Sequence, residues 1–199
     1  MQEKIMDIPS PKNFNLMVLG QIISILGSAL LRFALSLYVL DTTGSESLFA
    51  TMFAISNIPL LLAPLGGAIA DRFNRRSLMV IFDLTSSVIA LSLILLMNMC
   101  SISVLVVGST MVLLSIVSAL YTPAVTASIP LLVGKEKLEG ANGLVQAVQS
   151  LSAVAAPVLG GILYGIMGLE TVVVVSCISF FLSAVMEVFI KIPFQKRQW

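Results

Sequence analysis

Two apolar runs flank the stretch Gly67-Ala68-Ile69-Ala70-Asp71-Arg72-Phe73-Asn74-Arg75-Arg76, and this arrangement limits what the chain can become more than any other feature. Leu48 to Ala70 precedes the charges and Ser77 to Met97 follows them. Each run has about 20 residues, the length at which a helix crosses the hydrocarbon core of a bilayer. Asp71, Arg72, Arg75 and Arg76 cannot rest in hydrocarbon, so the cluster reads as a polar turn between two membrane spans. Three arginines in one short loop put that loop on the cytoplasmic side.

Composition extends the argument to the whole chain. Of 199 residues, 58% are hydrophobic and 11% charged, and the mean hydropathy is +1.05. No soluble domain of this size needs so much apolar surface, so a polytopic membrane protein is expected. The basic residues are spread over several loops and form no patch for nucleic acid. The absence of histidine removes His-based catalysis, His-ligated haem and the usual His-containing zinc sites. No nucleophile has a base beside it, so an enzyme is not expected, nor a cofactor or metal. Cys100 and Cys177 lie far apart in no motif and read as unpaired. Glu3, Lys4, Asp7 and Lys12 precede a first span too long for a signal peptide, and no small-residue cleavage site follows it.

Threading the spans gives an all-α bundle. Residues 1–13 form a polar lead, 14–190 a six-helix transmembrane bundle and 191–199 a polar tail. The spans are 14–40, 47–70, 77–97, 102–125 (continuing to 132 with kinks at Pro123 and Pro130), 139–167 and 171–190. Gly44 is a natural helix stop and Ser45 a natural cap for the next helix. Every Lys and Arg except Arg32 falls on the inferred cytoplasmic side, and the inferred external loops hold Asp41, Glu46 and Glu170. Both termini are therefore expected in the cytoplasm. Six spans divide into two groups of three that start from opposite faces, an inverted repeat by parity, with no residue match between them.

Several side chains inside the spans invite a chemical reading. Arg32 sits about two turns below Asp41 in the first span. It faces a cavity for substrate or proton coupling, or it snorkels to the headgroups or pairs with Asp41. Asp83, two turns into the third span, either locks to a basic residue of a neighbouring helix end or serves as a coupling carboxylate. Glu187 reads as a solvated or interfacial acid facing Lys191 at i+4. Gln21, Ser24 and Ser28 recur along the first span, Gln146, Gln149 and Ser150 open the fifth, and Asn57 lies before Pro59. Each lines a cavity or bonds a neighbouring helix. Ala153, Pro157, Gly161 and Gly165 recur every four residues, a small-residue stripe against which another backbone can pack.

The pattern Gly67-x-x-x-Asp71-Arg72-x-Asn74-Arg75-Arg76 between a second and a third span resembles the loop signature of the major facilitator superfamily of secondary transporters. Asn74 stands where the family usually has Gly, and Asn tolerates the left-handed region that such a turn needs. Ala156-Pro157-Val158-Leu159-Gly160-Gly161 resembles the Gly-Pro-x-x-Gly-Gly signature of the superfamily's proton-coupled exporters, with Ala156 replacing the first Gly. Residues 31–45, Tyr121-Thr122-Pro123-Ala124, Ile129 to Val133 and Glu139 to Gly143 resemble a bacterial branch of macrolide-efflux-like permeases. The chain departs from many exporters in span 4, which has no membrane-embedded Arg.

The resemblance implies half of a twelve-helix fold: six helices in two inverted three-helix repeats, in a bacterial cell membrane. It implies ion-driven efflux of drugs or other small molecules, with the loop at 67–76 as a gate latch. The expected partners are the lipid bilayer, a small-molecule substrate and a second six-helix bundle, either a missing C-terminal half or a dimer partner. The other reading is a six-span protein without transport activity that serves as an assembly partner.

Overall fold

The computed structural model describes residues 11–99 and 102–191. The leading residues 1–10, Cys100, Ser101 and the tail 192–199 lie outside them. Helix α1 spans Pro11–Thr43, α2 Glu46–Ile55, α3 Ala63–Arg72, α4 Arg75–Met99, α5 Val104–Leu132 and α6 Leu138–Val188, and short 3₁₀ turns occupy Ile58–Leu62 and Lys135–Lys137. The described residues contain no strand. Four helical segments are long and apolar enough to cross a membrane, ending with the one over Lys135–Val188.

Local chemistry explains the breaks. Gly44 takes φ +64° and stops α1, its N–H reaching the Leu40 carbonyl at 2.8 Å. Ser45 caps α2, its hydroxyl accepting from the Leu48 N–H at 3.2 Å. The second apolar run is broken rather than continuous: α2 ends at Ile55, where Asn57 turns its amide back onto the Phe53 carbonyl at 2.7 Å. Pro59 and Pro64 withhold the N–H groups that would carry one helix through. Helix α5 runs through both Pro123 and Pro130 to Leu132. Helix α6 contains both of the last two apolar runs, and Gly168 divides it with non-helical angles, φ 76° and ψ 175°.

Direction follows from which residues meet. Gly20 of α1 faces Ser183, and Gly27 faces Ser179, so α1 and residues 169–188 are antiparallel. Gly160 faces Leu30, and Tyr164 bonds Asp41, so α1 and residues 138–167 are parallel. Gly168 is therefore the turn of a helical hairpin. Helix α5 runs against α1 and α4, since Arg32 meets Ser115, Ser36 meets Met111 and Ser128 meets Met79. Met52 meets Gly108 and Gly66 meets Ala119, which sets α2 and α3 parallel to α5.

The core lies in two apolar layers. One joins Phe14, Ala70, Leu78, Leu132 and Ile190, the other Val39, Leu93, Val107 and Leu169. Beyond the first layer lie the helix ends that carry Lys12, Arg72, Arg75, Arg76, Lys135, Lys137 and Lys191. Beyond the second lie Asp41, Glu46 and Glu170. The end that carries these Lys and Arg residues, with Asp71, Glu136 and Glu139 among them, is thus opposite the acidic end of Asp41, Glu46 and Glu170.

Candidate functional site

Arg32 lies toward the acidic end of α1, part-buried, and donates from Nη1 to the Ser115 hydroxyl at 3.2 Å. Ser115 in turn donates to the Ser56 carbonyl, at the break after α2. Arg32 borders a cavity of about 140 Å³ shared with Ala29, Phe33, Phe53, Ser56, Asn57, Ala153 and Pro157. Phe33 meets Phe49 and Phe53 edge-on, with ring centroids 6.3 Å and 6.2 Å away, so an aromatic wall stands beside the guanidinium. Pro157 has no N–H to give to the Ala153 carbonyl, which leaves a backbone acceptor on the same side. A cation, an amide, one serine and aromatic side chains therefore converge, the usual make-up of a pocket that orients a largely apolar ligand. Asp41, the alternative partner for Arg32, instead accepts from the Tyr164 hydroxyl at 2.7 Å.

A second polar layer sits about 12 Å further along α1, eight residues at 1.5 Å each. Ser24 donates to Asp83 Oδ1 at 2.6 Å. Tyr121 donates to Glu187 Oε1 at 2.7 Å, and Ser183 to the Gly20 carbonyl at 2.8 Å. Asp83 is 1% exposed and Glu187 is fully buried. This corrects two sequence expectations. Glu187 is not a solvated acid facing Lys191, because the last turn of α6 presents it to Tyr121 rather than to the helix end. Asp83 bonds a serine rather than a basic side chain: among the described residues the ion pair is Asp71 with Arg75. Gln21 is buried in the bundle with both amide atoms unpartnered among the described residues. A small cavity of about 10 Å³ opens beside Asp83, Ser24, Ser28, Ser86, Ser118 and Tyr121.

The loop at 67–76 differs from expectation in two places. Asn74 does not take positive φ; among the described residues only glycines do. It sits just before α4 and its Oδ1 accepts from the Arg76 N–H at 3.1 Å, so it caps that helix. Gly67 has open space where a Cβ would go, whereas the close approach is made by Gly66. Asp71 lies 3.7 Å from Arg75, whose Nε also donates to the Ala70 carbonyl at 3.3 Å. Arg76 donates to the carbonyl of Val188, the last residue of α6, and Arg72 is exposed. The loop thus ties the end of α3 and the start of α4 to the end of α6.

The packing face of α6 is also rotated from the expected stripe. Ser152, Ala156 and Gly160, four residues apart, are buried, and a Cβ on Gly160 would meet the Leu30 carbonyl at 3.3 Å. Ala153 and Pro157 line the cavity instead, Gly161 touches only the Phe33 ring edge, and Gly165 faces open space. One residue is about 100° of helical rotation, so small side chains on adjacent stripes cannot be assigned to packing by size alone.

The structure thus gathers Arg32, Asn57, Ala153 and Pro157 around one cavity, and places Asp83 in the other layer. Gln146 is exposed and Gln149 half-buried, and neither borders either cavity. Ser56, Ser115, Ser183 and Gly66 were not singled out from the sequence, and Tyr121 entered only within the Tyr121-Thr122-Pro123-Ala124 resemblance. The phenol of Tyr121 inside an apolar helix was the available signal, since a buried hydroxyl needs a partner.

The family model of the Major Facilitator Superfamily matches residues 17–198. Macrolide efflux protein A of Streptococcus pyogenes is 27% identical over 175 residues, which is 87% of this chain and 43% of that protein. Macrolide efflux protein A of Enterococcus faecalis is 26% identical over 133 residues, 67% of this chain and 41% of that protein. An uncharacterized MFS-type transporter of Bacillus subtilis, YkuC, is 24% identical over 197 residues, 97% of this chain and 45% of that protein. The chain therefore spans less than half the length of these relatives. With its apolar helices and this match over most of its length, the chain is a membrane protein of a transporter family, not an enzyme, and it belongs to the Major Facilitator Superfamily.

Proposed function

We propose that this chain is the N-terminal, six-span half of a secondary active transporter that exports drugs or other small molecules across a bacterial cell membrane, driven by an ion gradient. In this reading α1, α2 with α3, α4, α5 and the two arms of α6 are six crossings in two inverted groups of three. Alternating helix direction supports it, as does the collection of basic residues at one end, which the positive-inside tendency assigns to the cytoplasm along with both termini. Cysteines introduced at Glu46 and Arg75 are expected to label from opposite sides of the membrane; labelling from one side refutes the threading.

The observation that carries the transport reading is Arg32 beside its cavity. A guanidinium inside the bilayer is expensive and is kept where it meets substrate or water. The cavity faces the side of α6 that bears Ala153 and Pro157, where a second six-helix bundle would complete the enclosure. That bundle and the bilayer are the proposed partners. Gly67, Asp71, Arg72, Asn74, Arg75 and Arg76 form the proposed cytoplasmic latch, in which the contact of Arg76 with the end of α6 breaks as that side opens. Gln21, Gln146 and Gln149 are proposed pathway residues of lesser weight, because none borders the Arg32 cavity.

The names of the macrolide efflux relatives suggest a macrolide as the first substrate to try. Everted vesicles carrying this chain together with a second bundle from a macrolide efflux relative should accumulate labelled macrolide when energised. A protonophore should abolish the accumulation, and Arg32→Ala should reduce it by about tenfold or more, the loss of one interaction of at least 1.4 kcal/mol. No accumulation with any second bundle would favour a non-transporting assembly partner.

A further inference from the structure

The acidic layer differs in kind from the Arg32 cavity. Asp83 of α4 and Glu187 of α6 are both buried, and among the described residues neither forms an ion pair. Helix α1 brings them to one level: Ser24 donates to Asp83, and Gly20, one turn earlier, accepts from Ser183, which lies one helical turn before Glu187. Helix α1 closes the site at Gly20, where a Cβ would stand 3.2 Å from the Ser183 hydroxyl and 3.7 Å from Glu187 Cγ. Each acid has one oxygen bonded, by Ser24 or by Tyr121, and one oxygen, Asp83 Oδ2 or Glu187 Oε2, with no partner among the described residues.

Among the described residues no Lys or Arg bonds either acid. Helix α1 presents Gln21, Ser24 and Ser28, α5 presents Tyr121, α4 presents Asp83 itself, and α6 presents Ser183 and Glu187. Arg32 is engaged with Ser115, Arg75 with Asp71 and the Ala70 carbonyl, and Arg76 with the Val188 carbonyl. Two anions in one water-poor site repel each other and lack the pairing that buried charge requires. A proton on one of the two unpartnered oxygens removes the repulsion. The cavity of about 10 Å³ beside Asp83 has room for about one water, which gives that proton a donor.

We propose that Asp83 and Glu187 hold one exchangeable proton between them, with Ser24 and Tyr121 orienting the two carboxyls, and that this pair is a proton-loading site inside the bundle. The proton comes from water, forms an O–H bond on one carboxylate, and returns to water when the site empties; no other bond changes. Its use as the coupling site of export rests on the transporter reading, whereas the binding of the proton does not.

Infrared spectroscopy of the purified full chain in lipid separates the two. At neutral pH the wild type should show the carbonyl stretch of a protonated carboxylic acid, shifted in heavy water. The other described carboxylates, Asp41, Glu46, Asp71, Glu136, Glu139 and Glu170, are exposed and are kept in every variant, so the double variant isolates the buried pair. The double variant Asp83→Asn/Glu187→Gln should lose the band, and Arg32→Ala should keep it. Tyr121→Phe, which preserves both acids, should shift the band, and it provides a reading even if the double variant fails to fold. Absence of the band in the wild type, or its survival in a folded double variant, overturns the proposal. Disappearance of the band when sodium replaces choline would assign the pair to sodium and overturn it equally. A band without vesicle transport would leave this site standing and remove only its role in export.

Discussion

A Cβ placed on Gly66 would stand 3.1 Å from the carbonyl oxygen of Ala119. That carbonyl is the one Pro123, four residues on, cannot bond, so α3 and α5 meet backbone to backbone where a proline has opened the helix. The neighbouring Gly67, which the loop signature emphasises, faces open space. Gly66→Ala should destabilise the bundle by about 1–3 kcal/mol, the usual penalty of overpacking. Gly67→Ala should be neutral or stabilising by up to about 1 kcal/mol through helix propensity. Thermal unfolding of both variants in one detergent decides it, and equal midpoints would contradict the packing.

Asn74 supplies a second contrast. Because its side chain caps α4, Asn74→Ala should remove about 1 kcal/mol and Asn74→Gly only a few tenths. A left-handed turn at this position would give the reverse for glycine, a gain. Hydrogen exchange at the Arg76 amide, the group that Asn74 holds, should quicken in the alanine variant.

On α6, Gly160 and Gly165, about 140° apart around the helix, have opposite surroundings. Gly160→Val should push α1 away from α6 and lower stability by about 1–3 kcal/mol. Gly165→Ala should leave stability unchanged or raise it by about 0.5–1 kcal/mol. Crosslinking of a cysteine pair at Leu30 and Ala156 should weaken only in the first variant; the same loss in both would refute the assigned face.

Arg32 allows structure and use to be separated. Its described partner is a neutral hydroxyl, and Ser115 keeps its bond to the Ser56 carbonyl without it. Arg32→Met should therefore leave thermal stability within about 1 kcal/mol of wild type or raise it, since an uncompensated membrane cation is removed. Transport by the complete assembly should nonetheless fall by about tenfold. Parallel loss of folding and transport would mean that Arg32 serves packing.

Much of the bundle was legible from the residues. Apolar runs, the Gly44 stop, the Ser45 cap and the gathering of Lys and Arg at one end all depend on local chemistry or on partition between water and lipid. Those forces act on each segment without knowledge of its neighbours. The break of the second run at Asn57 and Pro59 was within reach for the same reason, yet length and hydropathy masked it. The site was less legible. Arg32 stood out because any reader sees a lone cation in an apolar run. Glu187 was misread because its place near a helix end suggested water, while the rotation of that end toward Tyr121 is set by packing of α6 on α1, α4 and α5.

What the sequence determined by itself was the solvent: these helices belong in a bilayer, with their basic turns together, because transfer free energy is a property of composition and length. What only the tertiary structure decided was which face of each helix looks inward. It chose Gly66 over Gly67 and Gly160 over Gly165, and it brought Asp83 and Glu187 into one buried layer. Such choices depend on the rotation of one helix against another, fixed by close contacts between residues far apart in the chain, and a period of 3.6 residues cannot state them in advance.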